Sequence, residues 1–351
     1  AVVGADGQEG ADRLTMDMDV EDQEALQNAI KAAKEHNRKL VLVCNSSGPI
    51  TLTEYVQDCN AILCPYFAGQ AGGKVVTDAI FGLYNPSGKL TDTWPKAYCD
   101  TPSYKNYGGE NKEVWYGEGI YVGYRWYDAR KIEPLFPFGY GLSYTSFAFS
   151  DLQVEDTDVE KEDIMVKVSV ENTGNMAGAE VVQLYVASPK SSFDKPEKEL
   201  KGFQKVYLQP GEKTEVTLTV SKEDLAHYHT ALEEFVTESG TYRILVGNSS
   251  RDIVLSKEIQ VICHDPFGWN VITGIGKLVS NPKAVEIMNQ AIGDDINLVA
   301  AVPIQYAPDY TLKELWETES SAVSTLFSKQ GKTAEEKKQA WDYIVKEFKK
   351  L

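Results

Sequence analysis

One glutamate near the start of the chain has the surroundings of a catalytic acid. Glu9 lies in residues 8–13 (QEGADR), a loop that follows the short apolar run Val2-Val3. A positioned glutamate can act as general acid and general base toward a bound substrate. From the residues alone, a solvated loop acid is the favoured interpretation of Glu9.

Other motifs in the chain do not fit the chemistry that they suggest. Residues 69–74 (GQAGGK) have three residues between the first glycine and the Gly-Lys pair, and Val75 follows, whereas a Walker loop needs four and then Ser or Thr. A tight strand-to-helix turn is the better interpretation. The four histidines make no metal-ligand spacing, and no Gly-x-Ser-x-Gly motif occurs. The sequence therefore predicts neither a metal nor a cofactor.

The charge balance of the chain argues against two classes of partner. The 351 residues include 35 Lys and Arg against 52 Asp and Glu, which gives a net charge of −17. This excess of carboxylates repels phosphate backbones and anionic lipid surfaces, so we expect no nucleic acid or membrane partner. A neutral ligand fits better. The content of 42% apolar and 25% charged residues is typical of a globular protein, and the length suggests two or three domains.

The cysteines and the first residues indicate where the chain comes from. Five cysteines, odd in number and scattered, favour free thiols over a disulfide framework, and hence a reducing compartment. The sequence begins without Met or a signal peptide, and Ala1-Val2-Val3-Gly4 resembles the end of a buried strand. We therefore expect a piece of a longer polypeptide.

The first part of the chain alternates between strands and helices. This order predicts a parallel sheet covered by helices, in which ligands gather beyond the carboxyl ends of the strands. The loop that contains Glu9 follows such an end. The predicted elements are helices at 22–37, 51–57 and 70–81 and strands at 39–44 and 61–66.

The periodicity then changes twice along the chain. After a turn-rich, aromatic stretch that begins at Asn85, apolar residues alternate with polar ones, which predicts an antiparallel β-sandwich of the immunoglobulin or fibronectin type III kind. From Cys263 onward the pattern is helical. We expect an α/β domain at 1–147, a β-sandwich at 148–262 and a helical tail at 263–351. The aromatic residues between Tyr98 and Tyr127 are expected to be mostly core, with stacking on sugar faces as the alternative.

A series of short motifs occurs in order along the first 262 residues. They are 8–13 (QEGADR), 67–73 (FAGQAGG), 85–90 (NPSGKL), 93–95 (TWP), 116–128 (YGEGIYVGYRWYD), 138–145 (FGYGLSYT), 172–174 (NTG), 177–178 (AG), 201–203 (KGF) and 249–252 (SSRD). This succession closely resembles glycoside hydrolase family 3, the β-glucosidase group. The resemblance implies a three-layer α/β sandwich, then a fibronectin type III-like domain and a helical tail like that of some bacterial members.

The resemblance also implies catalytic roles. In this family a (β/α)₈ barrel supplies an Asp nucleophile from a Ser-Asp-Trp type motif, and the α/β sandwich supplies the acid/base Glu. Glu9 matches that Glu, with Glu118 as the reserve candidate, while Asp12 and Arg13 would bind substrate or support the loop. No Asp-Trp pair occurs in the chain, and the resemblance implies that the barrel is absent from it. Gln8 and Ala11 depart from the family pattern, which affects the expected contact with the leaving group.

The implied function is retaining exo-hydrolysis of β-glucosides together with a barrel segment. A β-xylosidase of the same family is the first alternative, and a non-catalytic carbohydrate-binding or assembly module is the second. The expected partners are a β-glucoside or oligosaccharide substrate and the barrel segment, with a homodimer as an option. The expected location is the bacterial cytoplasm.

Overall fold

The first part of the chain forms a parallel sheet, as the alternating pattern predicts. The computed structural model describes residues 1–5, 10, 13–191, 193–230, 232–264 and 270–351. Three strands pair in the order β1-β2-β3, and Val3 lies opposite Cys44 in the parallel register. Buried side chains cover the sheet, and they include Leu42, Leu26 and the almost fully enclosed Trp94. The elements are β1 Val2–Ala5, α1 Val20–Glu35, β2 Val41–Ser46, β3 Ala61–Leu63 and α2 Gly72–Ile80.

One predicted element of this region is wrong. Residues 51–57 do not form an α-helix, and a single 3-10 turn follows at Val56–Asp58. The backbone N–H groups of Tyr55, Asp58 and Cys59 instead donate three residues back, to Leu52, Tyr55 and Val56, which is the pattern of turns and 3-10 structure. Residues 69–74 form the turn into α2, as expected.

Residues 85–147 contain little regular structure. One short helix, α3 (Tyr124–Arg130), lies within them, and Trp94 bridges to Phe136. Of the aromatic residues between 98 and 127, Tyr124 and Tyr127 are buried, while the others are half-buried or exposed. The expectation that most of them form core is therefore wrong for this chain.

The following strands form two antiparallel sheets, as the period of two predicts. In β6, Ile164, Val166, Val168 and Val170 are all fully buried, while the residues between them are not. One sheet has the order β4-β6-β9 and the other the order β5-β13-β12-β7-β8. The strands are β4 Phe147–Gln153, β5 Thr157–Asp158, β6 Ile164–Asn172, β7 Gly178–Ala187, β8 Glu199–Leu208, β9 Lys213–Val220, β12 Gly240–Gly247 and β13 Ile253–Ile262. The predicted fold class, α/β followed by all-β, is confirmed.

A short helix and a hairpin separate β9 from β12. They are α4 Lys222–Leu225, β10 His227–His229 and β11 Glu234–Val236. After residue 270 the chain is helical, as expected, with a core of its own around Trp316 and Phe327. The helices are α5 Ile275–Leu278, α6 Pro282–Ile292, α7 Ile296–Val299, α8 Ala301–Tyr306, α9 Leu312–Glu317, α10 Ala322–Lys329 and α11 Ala334–Phe348.

The chain divides into two compact units. The first consists of Ala1–Thr157, Glu162–Val220 and Gly240–Val261, and the second of Asp158–Lys161, Ser221–Ser239 and Ile262–Leu351. The β10–β11 hairpin therefore belongs with the tail helices, since Leu232 packs against their core. The expected domain boundaries after residues 147 and 262 stay predictions. None of the helices in the described ranges has the length and apolar character that a membrane span requires.

Candidate active site at the carboxyl end of the parallel sheet

The topology places residues 8–13 in the connection from β1 to α1. β1 ends at Ala5 and α1 begins at Val20. In a parallel sheet such a connection leaves from the carboxyl edge, where ligands bind. Glu9 and Asp12 themselves lie outside the described residues, so their assignment stays a prediction.

Hydrogen bonds fix both sides of this connection. The backbone N–H of Gly4 donates to Oδ2 of Asp22, in the first turn of α1, at 2.7 Å. A side chain at Gly4 would clash, because a Cβ there would lie 2.7 Å from the carbonyl oxygen of Asn45. On the other side, the guanidinium of Arg13 donates to the carbonyl oxygen of Asp17. The Gly4–Asp22 bond thus joins β1 to the start of α1, while the Arg13–Asp17 bond is local to the segment before α1.

The reserve carboxylate lies elsewhere, in the loop before α3. Glu118 is half-buried, and its carbonyl oxygen accepts a hydrogen bond from the N–H of Tyr121 at 3.0 Å. Its carboxylate makes no hydrogen bond or ion pair with any residue in the described ranges. The neighbouring Trp115 and Tyr116 are 70% and 81% exposed. A carboxylate that has no partner among the described residues, and that follows exposed aromatic residues in the sequence, suits a sugar-binding surface as well as it suits a solvated loop.

A buried carboxylate of the 116–128 motif has a structural role. The side chain of Asp128 is 3% exposed and pairs with Nζ of Lys198 at 2.5 Å and with Nε of Arg251 at 2.7 Å. Arg251 also donates to the carbonyl oxygen of Ile132 at 3.0 Å. Asp128 therefore joins the aromatic region to two elements of the β-sandwich. Lys198 was not recognisable from the sequence, since nothing local marks it as the partner of a residue 70 positions away.

The 85–90 motif makes a second connection to the sandwich. Nδ2 of Asn85 donates to the carbonyl oxygen of Ala177 at 3.1 Å, and Lys89 pairs with Glu180 at 2.7 Å. Both side chains of that ion pair are about 90% buried, being 11% and 9% exposed.

The 138–145 motif makes a third connection, and it depends on a glycine. Gly139 has a φ of +80°, and a Cβ there would lie 2.2 Å from Oε1 of Gln183. Nε2 of the same Gln183 donates to the carbonyl oxygen of Gly139 at 3.0 Å. Only glycine satisfies both the backbone angle and this close approach.

The described residues offer no metal centre. Among them, no group of three or more His, Cys, Asp or Glu side chains is arranged to hold a metal ion. The five cysteines are free thiols, with Cys44 and Cys263 buried.

Comparison with known proteins identifies two regions. Residues 1–124 match the glycosyl hydrolase family 3 C-terminal domain, and residues 180–250 match the fibronectin type III-like domain. Thermostable beta-glucosidase B of Acetivibrio thermocellus is 47% identical over 254 residues, which are 72% of this chain and 33% of that protein. The chain thus spans about a third of the length of this relative.

Solved structures show the same likeness. Beta-glucosidase 3B from Thermotoga neapolitana, in complex with glucose, superposes with a TM-score of 0.70 at 39% identity, over 74% of this chain and 37% of that one. A family 3 beta-glucosidase from Bifidobacterium adolescentis gives a TM-score of 0.70 at 33% identity, over 82% of this chain and 42% of that one.

Proposed function

We propose that this chain, which belongs to glycoside hydrolase family 3, supplies the acid/base carboxylate of a retaining exo-β-glucosidase. The observation that carries the proposal is the match of residues 1–124 to the family's C-terminal domain, with Glu9 in the connection from β1 to α1. The matched relatives are named beta-glucosidases, which favours a glucoside over a xyloside as substrate.

The reaction needs a second carboxylate from a barrel segment. Retaining glycosidases use two carboxyl groups roughly 5–5.5 Å apart, one as nucleophile and one as acid and then base. The matched relative is about three times as long as the matched region, so it has room for a barrel. We infer that such a segment of the same enzyme brings the Asp that attacks the anomeric carbon.

Glu9 would act twice in this scheme. It first protonates the glycosidic oxygen as the sugar transfers to the barrel aspartate, and it then removes a proton from the water that releases the sugar. Arg13 acts through the loop, because its guanidinium donates to the carbonyl oxygen of Asp17. Asp12 is proposed to support the same loop or to bind substrate.

The test is Glu9→Ala in the complete enzyme with substrates of different leaving groups. A poor leaving group such as the alcohol of an alkyl glucoside needs the proton, so kcat/KM should fall about 10²- to 10⁴-fold. With a dinitrophenyl glucoside the first step should be nearly unchanged. The glycosyl-enzyme should then accumulate as a burst, and azide should restore turnover by forming β-glucosyl azide.

The matched control is Glu118→Ala. We expect it to leave the dependence on the leaving group unchanged and to gain nothing from azide. If the substrate-dependent loss and the azide rescue belong to Glu118→Ala instead, Glu118 is the acid/base residue. If Glu9→Ala lowers kcat/KM equally on all substrates, Glu9 has only a structural role in the loop.

Location and assembly are part of the proposal. Five free thiols suit a reducing compartment such as the bacterial cytoplasm. A homodimer stays a prediction, which sedimentation of the complete enzyme would test.

A further inference from the structure

Two thiols stand next to each other at the carboxyl end of the parallel sheet. Strands β2 and β3 pair at Val43 and Leu63, and the residues that follow these two in the sequence are Cys44 and Cys64. Neighbouring strands lie about 4.8 Å apart, and the Cα atoms of disulfide-bonded cysteines are roughly 4.4–6.8 Å apart. The sheet therefore holds this pair within reach of a disulfide bond.

The two thiols have different environments. Cys44 is 1% exposed in the core of the sheet, whereas Cys64 is half-buried and follows the last residue of β3. The neighbouring thiol of Cys64, together with burial, raises the pKa of Cys44. The neighbouring thiol of Cys44 lowers the pKa of Cys64. Because the thiolate is the reactive form, Cys64 is suited to react first and Cys44 to resolve the product.

The other cysteines lack this combination. Cys59 is also half-buried, but burial and the neighbouring Asp58 raise its pKa. Cys99 is exposed, without a second thiol next to it in sequence. Cys263 is buried in the other compact unit, where its Sγ donates to a backbone carbonyl oxygen at 3.1 Å.

We propose that Cys64 and Cys44 form a reversible oxidation site for hydrogen peroxide. The Cys64 thiolate attacks the peroxide, which gives a sulfenic acid and hydroxide. The thiol of Cys44 then attacks the Cys64 sulfur, and the S–S bond forms as the sulfenic oxygen leaves as hydroxide. The two hydroxides take up the proton of Cys44 and the proton that Cys64 released on ionising, so the overall change is two thiols and one peroxide to one disulfide and two waters.

The position of Cys64 also makes the bond reversible. Disulfide Cβ atoms lie roughly 3.5–4.5 Å apart, closer than neighbouring strands, so one cysteine must move inward. Cys64 can move because it lies beyond the last paired residue of β3. Forming the bond displaces Cys64, and a dithiol such as dithiothreitol, which exchanges with the disulfide, should restore both thiols.

The test is peptide mapping of the full chain after treatment with hydrogen peroxide. The chain carries Cys99→Ser to prevent disulfides between molecules. We expect two thiols to be lost, a cross-linked peptide that contains Cys44 and Cys64, and full recovery with dithiothreitol. Adding Cys44→Ser should abolish the cross-link and leave a sulfenic acid at Cys64 that dimedone traps. Adding Cys59→Ser, the half-buried matched control, should change nothing.

Three results would overturn the proposal. They are a cross-link through Cys59, no thiol loss at peroxide concentrations that oxidise free cysteine, or dimedone labelling of Cys59 ahead of Cys64 in the Cys44→Ser chain. Peptide mapping of the chain with both Cys44 and Cys64 needs no substitution at the site. It therefore shows whether the disulfide forms even if the Cys44→Ser chain folds poorly.

Discussion

Replacing Asp128 by asparagine tests whether this buried carboxylate fixes the aromatic region to the sandwich. Asp128 is nearly inaccessible and pairs with two cations, at 2.5 Å and 2.7 Å. Removing one partner of a buried ion pair costs about 3–5 kcal/mol, because the other charge stays buried without compensation. Here Lys198 is 12% exposed and would be left in that state.

The lower end of that range applies to Asp128→Asn. Arg251 is 30% exposed and keeps Glu133, at 3.3 Å, as a second partner, so its charge stays partly compensated. We therefore expect a loss of about 3 kcal/mol in the free energy of unfolding. For a cooperative unit of about 150–250 residues, such as the first compact unit that contains Asp128, each kcal/mol lowers Tm by about 2–4 °C, which predicts a fall of about 6–12 °C.

The measurement is thermal and urea unfolding followed by circular dichroism, with Glu258→Gln as the matched control. Glu258 pairs with Arg243 at 3.1 Å, but their side chains are 57% and 43% exposed, so this loss should stay below about 1 kcal/mol. If Asp128→Asn and Glu258→Gln melt at the same temperature, the ion pairs of Asp128 do not hold the two regions together and the reasoning is wrong.

Three further predictions concern the activity of the purified chain, the pH dependence of two helix caps and the cleavage of a shortened chain by protease. Since we propose that the nucleophile comes from a barrel segment, the purified chain should not hydrolyse aryl β-glucosides, and turnover with no second polypeptide in the mass spectrum would contradict this. Backbone and side-chain hydrogen bonds from Thr311 and Thr333 lower the pKa of the capping residues Glu314 and Glu336. The ionised carboxylates therefore stabilise their helices above pH 4.5, the ordinary pKa of Glu, and this stabilisation is lost as the pH falls below that value. Glu314→Gln with Glu336→Gln should therefore weaken the loss of helix signal between neutral and acid pH. A chain ending at Ile262 should be cleaved by protease within residues 221–239, because their packing partners are removed, and unchanged resistance would refute this.

The sequence predicted well those elements in which burial of apolar side chains leaves a pattern within a few neighbouring residues. The alternation in residues 164–170 gives β6 directly, since a slip by one residue would expose every apolar side chain. The apolar runs around Leu42 and Ile62 likewise become neighbouring strands of the parallel sheet.

Partners that are distant in sequence could not be predicted. Asn85 contacts Ala177 across 92 residues, and no local pattern identifies either as the partner of the other. The association of residues 221–239 with the tail helices is of the same kind, because the hairpin has an ordinary strand pattern. The candidate site depends on resemblance even more, since Glu9 and Asp12 lie outside the described residues.

The contacts of the 85–147 region join the β-sandwich to a loop that we propose contacts the substrate. Lys89 precedes the aromatic loop at 104–122 in the sequence and pairs with Glu180 of the sandwich. Asp128 follows that loop and pairs with Lys198. A loop held at both ends by the same support has fewer conformations to lose when a ligand binds. Trp115 and Tyr116 lie within this loop and are exposed, and we propose that their rings stack on a sugar face of the substrate. Asp128→Asn should then raise KM in the complete enzyme even at temperatures well below its melting point, whereas a purely structural support would leave KM unchanged there.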